Sequence, residues 1–99
     1  SGQNIYPEEI EDKLNNSPYI LESLAVEERG KIIALVVPDA EVLKGENLTP
    51  EQYEAVFEKE IKEINAKLPN YSRIASFRVQ AEEFEKTPKR SIKRFKYQK

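Results

Sequence analysis

The spacing of apolar residues changes along the chain, and each change predicts a different kind of element. In two places apolar residues recur every three or four positions, which is the spacing of one helix face. Two apolar runs and one alternating stretch predict three strands. The predicted order is helix, strand, strand, helix, strand, helix, with the elements near residues 7–14, 20–28, 31–37, 50–68, 77–81 and after residue 88.

Both predicted helix starts carry local signals. Pro7 suits the first position of a helix, and the carboxylates that follow it oppose the positive end of the helix dipole. Thr49 precedes Pro50 and has Gln52 three residues later, an arrangement typical of a capping box. A core-facing stripe at helical spacing follows and consists of Tyr53, Phe57, Ile61, Ile64 and Leu68.

The predicted strands indicate a small sheet. Arg29-Gly30 is a two-residue hairpin turn between the first two strands. The second strand is so rich in Ile and Val that we expect both of its faces to be covered. Residues 38–48 form an exposed connection, and the sequence does not place the short helical turn that it could hold. The predicted fold class is α+β, a small three-stranded sheet flanked by helices.

The composition of this single domain of 99 residues excludes several kinds of catalytic and metal chemistry. The chain has neither Cys nor His, which excludes disulfides, thiolate nucleophiles and the usual zinc ligands and general base. The longest apolar run, residues 32–37, is far shorter than the roughly 20 residues that span a bilayer. The N-terminus lacks a signal-peptide layout, so we expect a cytoplasmic location, with peripheral membrane contact left open.

Charge is strongly segregated. From Lys86 onward there are seven basic residues and no acidic ones, whereas residues 1–85 hold nine basic and all eighteen acidic residues. Such a cationic end indicates either an anionic target or merely a solvated helix. Phe95 and Tyr97 could anchor this end to the core or stack on a base. A free-standing module that binds RNA, an acidic protein or an anionic membrane therefore remains an alternative, although no nucleic-acid motif is present.

A group of carboxylates near the N-terminus has a simpler interpretation. It consists of Glu8, Glu9, Glu11 and Asp12. Without His or an apolar setting, these residues are expected to be surface groups that compensate the helix dipole. We assign them no catalytic role, and the sequence predicts no metal site.

Three segments resemble one known family. Residues 2–11 are similar to the motif G-x-N-[IV]-x-P-x-E-[IV]-E, residues 68–71 to LPxY, and residues 86–94 to K-T-P-x-x-K-I-[LK]-R. Their order and spacing resemble the C-terminal domain of the adenylate-forming acyl-CoA synthetases, the AMP-binding enzyme superfamily. The details are most similar to long-chain fatty acid CoA ligases of lipid metabolism.

The resemblance implies that residues 1–99 are a single lid domain, the small mobile domain of a larger ligase. In that family an N-terminal adenylation domain, which this chain does not contain, holds ATP and the acyl group. The enzyme converts a fatty acid and ATP to acyl-AMP and then forms a thioester with CoA. The resemblance implies ATP, CoA and Mg²⁺ as ligands of the full-length enzyme, none bound by this domain alone, no nucleic-acid partner, and no activity in isolation.

The same resemblance implies specific site residues. Gly2, Gln3 and Asn4 would face the active site during thioester formation, where Gly2 leaves room for the CoA arm. The family's catalytic lysine corresponds to Ser91, which cannot supply a positive charge. Either Lys89 or Lys93, the candidates two residues to each side, takes this role through a shifted turn, or adenylation is weakened.

Overall fold

Residues 6–97, which the computed structural model describes, form a three-stranded mixed sheet with helices packed on it. This confirms the predicted fold class. In chain order the elements are α1 Pro7–Asn15, β1 Ile20–Glu28, β2 Lys31–Pro38, α2 Ala40–Gly45, α3 Pro50–Asn65 and β3 Ile74–Val79, with 3₁₀ turns at Asn70–Ser72 and Arg94–Lys96. No helix within this range is long and apolar enough to cross a membrane.

The strand order is β1-β2-β3, so β2 is central. β1 and β2 are antiparallel, and Arg29 and Gly30 join them with positive φ angles of 54° and 77°. Positive φ at both central residues is the geometry of the hairpin turn that the sequence predicts. β2 and β3 are parallel, which requires a long crossover, and α2 and α3 lie within it.

The two faces of the sheet are buried by different parts of the chain. One face packs against the helices, and its cluster includes Ala25, Ile32, Ala34 and Val36 with Ile10, Leu14, Phe57, Ile61 and Ile64. The other face, formed by Leu24, Val26, Ile33, Leu35 and Val37, packs against Phe84, Ile92 and Tyr97. Alternate residues of β2 thus enter opposite clusters, which confirms that both faces of this strand are covered.

The helix starts follow their local sequence. In α3 the Thr49 N–H donates to Gln52 Oε1 at 2.8 Å, as the capping box predicts. The unplaced turn of residues 38–48 is α2, where Asp39 Oδ1 accepts a hydrogen bond from the Val42 N–H at 3.3 Å. α3 ends at Asn65, three residues before Leu68, but Leu68 is buried all the same.

The predicted last helix is wrong. After residue 88 the chain forms a turn, an isolated bridge between Lys86 and Ile92, and the 3₁₀ turn Arg94–Lys96. A helix here would have placed Lys89 four residues before Lys93, and like charges at that spacing repel. Ile92 instead joins Phe84 and Tyr97 in covering the second sheet face.

The hairpin turn can be tested with two glycines that differ only in backbone conformation. Neither Gly30 nor Gly45 has an atom within 4 Å of an added Cβ, but only Gly30 has a positive φ. We expect Gly30→Ala to lower the free energy of unfolding by about 1–2 kcal/mol because L side chains strain that conformation. Gly45→Ala, at the end of a helix, should be neutral or stabilising by at most about 1 kcal/mol. Urea denaturation of both variants measures this, and equal effects would contradict the turn geometry.

Candidate functional site

The cationic end folds into a small hairpin, residues 84–94, which we call the terminal hairpin. Lys86 and Ile92 form an antiparallel bridge. The Lys93 N–H donates to the Glu85 carbonyl at 2.8 Å, and the Thr87 N–H donates to the Ser91 carbonyl at 2.7 Å. The residues that resemble the family's catalytic segment therefore lie on a hydrogen-bonded structure and not on a free tail.

The connection between the two legs of the terminal hairpin is Pro88-Lys89-Arg90. The Arg90 N–H donates to the Thr87 carbonyl at 2.8 Å, and the Ser91 N–H donates to Thr87 Oγ1 at 3.2 Å. Arg90 has a φ of 67°, the left-handed conformation that closes three-residue hairpin loops. Thr87 therefore accepts both hydrogen bonds that close this loop, one at its carbonyl and one at its side-chain oxygen.

Aromatic and aliphatic side chains fix the terminal hairpin to the second sheet face. Phe84 is only 4% exposed, and its ring meets that of Tyr97 edge-on with centroids 4.9 Å apart. Tyr97 Oη also accepts a hydrogen bond from the Glu85 N–H at 2.9 Å. Tyr97 thus anchors the end of the chain to the core, whereas Phe95 is 73% exposed.

An ion pair between a half-buried arginine and a buried glutamate joins the terminal hairpin to α1. Both carboxylate oxygens of Glu11 accept hydrogen bonds from the Arg94 guanidinium, and the contact between Nη1 and Oε2 measures 2.7 Å. The Ala25 N–H of the edge strand β1 donates to the same Oε2 at 2.7 Å. The hydrogen bond to Glu11 raises the pKa of Arg94 above its ordinary value. Glu11 is only 7% exposed, so the prediction that it is a surface group is wrong.

A second ion pair holds the first leg of the terminal hairpin. Lys86 pairs with Glu22 of β1, and its Nζ also donates to the Phe84 carbonyl at 3.2 Å. Glu22 Oε1 accepts a hydrogen bond from the Phe84 N–H at 3.1 Å. The hydrogen bond to Glu22 raises the pKa of Lys86, so this cation stays charged and tied to the sheet.

The described part of the cationic end has four further cations. One of them forms an ion pair, and three do not. Lys96 Nζ donates to both carboxylate oxygens of Glu85 at 2.8 Å, which lowers the pKa of Glu85. Among residues 6–97, no ion pair within 4 Å involves Lys89, Arg90 or Lys93. Within the described part of the cationic end, the cations outside an ion pair therefore lie on the loop and second leg of the terminal hairpin.

Side-chain alternation separates the two candidate lysines. Ile92 packs inward on the second sheet face, so its neighbours Ser91 and Lys93 lie on the outer side of the same leg. Positions two residues apart in an extended leg lie about 7 Å from each other. Lys89 is exposed within the loop and Lys93 is half-buried on the leg. Lys93 thus shares the side of Ser91.

Comparison with known proteins shows the family of this chain. The whole sequence, residues 1–99, matches the family described as AMP-binding enzyme C-terminal domain. The chain belongs to this family. Comparison of the sequence with curated proteins gave no match.

Several solved structures share the fold of this C-terminal domain. It resembles the adenylation domain of a carboxylate reductase from Mycobacterium chelonae, with a TM-score of 0.75, 20% identity, and coverage of 91% of this chain and 15% of that one. A benzoate CoA ligase from Burkholderia xenovorans LB400 gives 0.71 at 23% identity, covering 97% and 19%. A Mycobacterium tuberculosis fatty acyl CoA synthetase gives 0.65 at 20%, covering 97% and 18%. The chain thus spans less than a fifth of the length of each.

Only some of the sequence-predicted site residues lie within the part of the chain that the structure describes. Gly2, Gln3 and Asn4 lie outside the described residues. Lys89 and Lys93 both belong to the terminal hairpin. Sequence reasoning missed Glu11 and Glu22 as the carboxylates that hold this hairpin. The signal for Glu11 was available, because it ends the first motif and its partner Arg94 ends the last.

The pair between Lys96 and Glu85 predicts a pH dependence of stability. The pKa of Glu85 is lowered in the folded domain, so the stabilisation is present above about pH 4.5 and is lost as pH falls through the lowered value. We expect Lys96→Gln to reduce the free energy of unfolding near neutral pH, but not at an acidic pH well below the lowered pKa, where the carboxyl is protonated in both states. Urea denaturation at both pH values measures the effect.

The matched control for this prediction is Lys59→Gln, an exposed lysine of α3 with no ion pair among the described residues. It should leave stability nearly unchanged at both pH values. A deficit of Lys96→Gln that persists undiminished in acid would contradict the ion-pair explanation.

Proposed function

We propose that this domain is the lid of an ATP-dependent fatty acyl-CoA ligase, most like the long-chain fatty acid CoA ligases. The observation that carries the proposal is the terminal hairpin, whose outer side bears Ser91 at the family's lysine position and the unpaired cation Lys93 beside it. In the proposed enzyme this side of the hairpin faces an acyl-adenylate held by an N-terminal adenylation domain.

The chemistry requires a fixed positive charge on this hairpin. In the first half-reaction a carboxylate attacks the α-phosphoryl group of ATP and releases pyrophosphate, and in the second the CoA thiol displaces AMP. Negative charge develops on the phosphoryl and acyl oxygens, and a preorganised cation stabilises it most where water is excluded. Ser91 carries no charge, so a neighbouring lysine has to supply it.

The geometry favours Lys93 for this role over Lys89. Lys93 lies on the same side of the same leg as Ser91, and its backbone is fixed by the hydrogen bond to the Glu85 carbonyl. Its four-carbon stem can direct the ammonium toward the place that a lysine at position 91 would reach. Lys89 belongs to the exposed loop, where less of the surrounding structure fixes its direction.

The other parts of the proposal concern the missing domain. ATP, Mg²⁺ and the acyl chain are assigned to the N-terminal domain, and within residues 6–97 no group of three carboxylates is placed to hold a metal ion. Residues 2–4 are assigned to the CoA arm on the strength of the motif resemblance alone. The fatty acyl substrate is supported by the motif details at residues 2–11 and 86–94. The lid is proposed to alternate between the two half-reactions.

The alternative, a free-standing binding module with a cationic tail, gains no support from the contacts. Lys86, Arg94 and Lys96 each pair with a carboxylate of the same domain. Those charges are already compensated and cannot contribute fully to binding an anionic partner. Among the six cations of this end that the structure describes, three remain outside an ion pair.

The assignment of Lys93 is tested in the full-length ligase. We expect Lys93→Gln to slow acyl-AMP formation, followed as pyrophosphate release, by roughly 100-fold, because it removes one preorganised stabilising charge. Lys89→Gln is the matched control in the same hairpin and should change the rate by less than about threefold, as expected for an exposed charge away from the reacting atoms. Full activity of both variants would contradict the role of the hairpin lysines.

A further inference from the structure

Arg94 directly follows the candidate lysine Lys93, and its half-buried side chain contacts a different part of the domain. The guanidinium binds both oxygens of Glu11 on α1, which is 83 residues away in the sequence. We propose that Arg94 is a positioning residue, which fixes the second leg of the terminal hairpin through Glu11 so that Lys93 faces the reacting groups during acyl-AMP formation. This inference rests on the proposed function.

The contacts restrain Lys93 from both sides. On one side its own N–H is bonded to the Glu85 carbonyl across the hairpin. On the other, Arg94 is held by two parallel hydrogen bonds from its planar guanidinium, which fix orientation as well as distance. Without the second restraint the short segment between Lys93 and the anchored Tyr97 could change its backbone conformation, and the direction of the lysine stem would change.

Glu11 is itself held in place. Its Oε2 accepts the Ala25 N–H of β1 at 2.7 Å in addition to Arg94. A carboxylate that is buried in this way is destabilising without a cationic partner. Glu11 therefore favours the conformation in which the Arg94 guanidinium binds it. The anchor point is therefore the rigid junction of α1 with the sheet edge.

The remaining contacts of the hairpin do not depend on Arg94. Phe84, Ile92 and Tyr97 pack in the second sheet cluster, and Lys86 pairs with Glu22. We therefore expect the domain to stay folded when Arg94 is replaced, with the loss confined to the second leg. A positioning role then affects the half-reaction that uses the hairpin lysine and spares the thioester half-reaction, in which residues 2–4 are proposed to face the active site.

The test uses the full-length ligase and measures the two half-reactions separately. Arg94→Gln should slow acyl-AMP formation by roughly 10- to 100-fold, the size expected for a misplaced catalytic group. Thioester formation from supplied acyl-AMP and CoA should change by less than about twofold. Arg94→Lys, which keeps the charge but not the two parallel hydrogen bonds, should lie between Arg94→Gln and the unchanged enzyme.

The matched control is Arg78→Gln. Arg78 is also an arginine paired with a glutamate, Glu28, but it lies on β3 away from the hairpin. It should leave both half-reactions within about twofold of the unchanged enzyme. An equal loss of both half-reactions in Arg94→Gln would indicate general misfolding and overturn the positioning role.

Amide hydrogen exchange gives a readout that does not depend on activity. In Arg94→Gln, or in Arg94→Lys if the first variant does not fold, we expect the Lys93 amide to exchange roughly tenfold faster or more while core amides of β2 keep their rates. Unchanged exchange at Lys93 would overturn the anchoring by Glu11. A full-length enzyme that forms no acyl-AMP at all would instead overturn the proposed function, and the exchange result would still decide whether Arg94 fixes the hairpin.

Discussion

The buried carboxylate of Glu11 is the constraint around which the parts of the domain meet. It sits on α1, accepts an amide of the edge strand β1, and binds the guanidinium of Arg94 from the far end of the chain. A buried carboxylate left without these partners would cost several kcal/mol. The helices cover one face of the sheet and the terminal hairpin covers the other, and Glu11 joins the two at the sheet edge.

The contacts of the folded domain change the interpretation of the cationic end. In the sequence the cationic end resembles a tail that seeks an anionic partner. In the folded domain three of its cations pair with carboxylates of the body, while Lys89, Arg90 and Lys93 remain on the outer loop and leg. A small group of charges on a folded hairpin suits the stabilisation of charge that develops at one place better than the binding of an extended polyanion.

The parts that the sequence predicted well are those whose causes are local. The first two strands and their Arg29-Gly30 turn, and the capped start of α3, follow from residues within a few positions of each other. The terminal hairpin was predicted as a helix because its stability comes from distant contacts, such as Ile92 with β1 and β2. Glu11 was assigned to the surface for the same reason, because the cation that compensates its buried charge lies 83 residues away in the sequence. The motif resemblance identified the position of Ser91, but the preference for Lys93 needed the inward packing of Ile92.

The central claim, that this domain completes a ligase and does not act as an independent binding module, is tested most directly by complementation. The 99-residue domain is added to a separately produced N-terminal adenylation domain, and pyrophosphate release with a fatty acid, ATP and Mg²⁺ is measured. We expect no turnover by the 99-residue domain alone and a clear gain in the rate of pyrophosphate release when the two domains are mixed. Turnover by this domain alone, or a mixture no faster than the N-terminal domain by itself together with salt-sensitive binding of RNA, would contradict it.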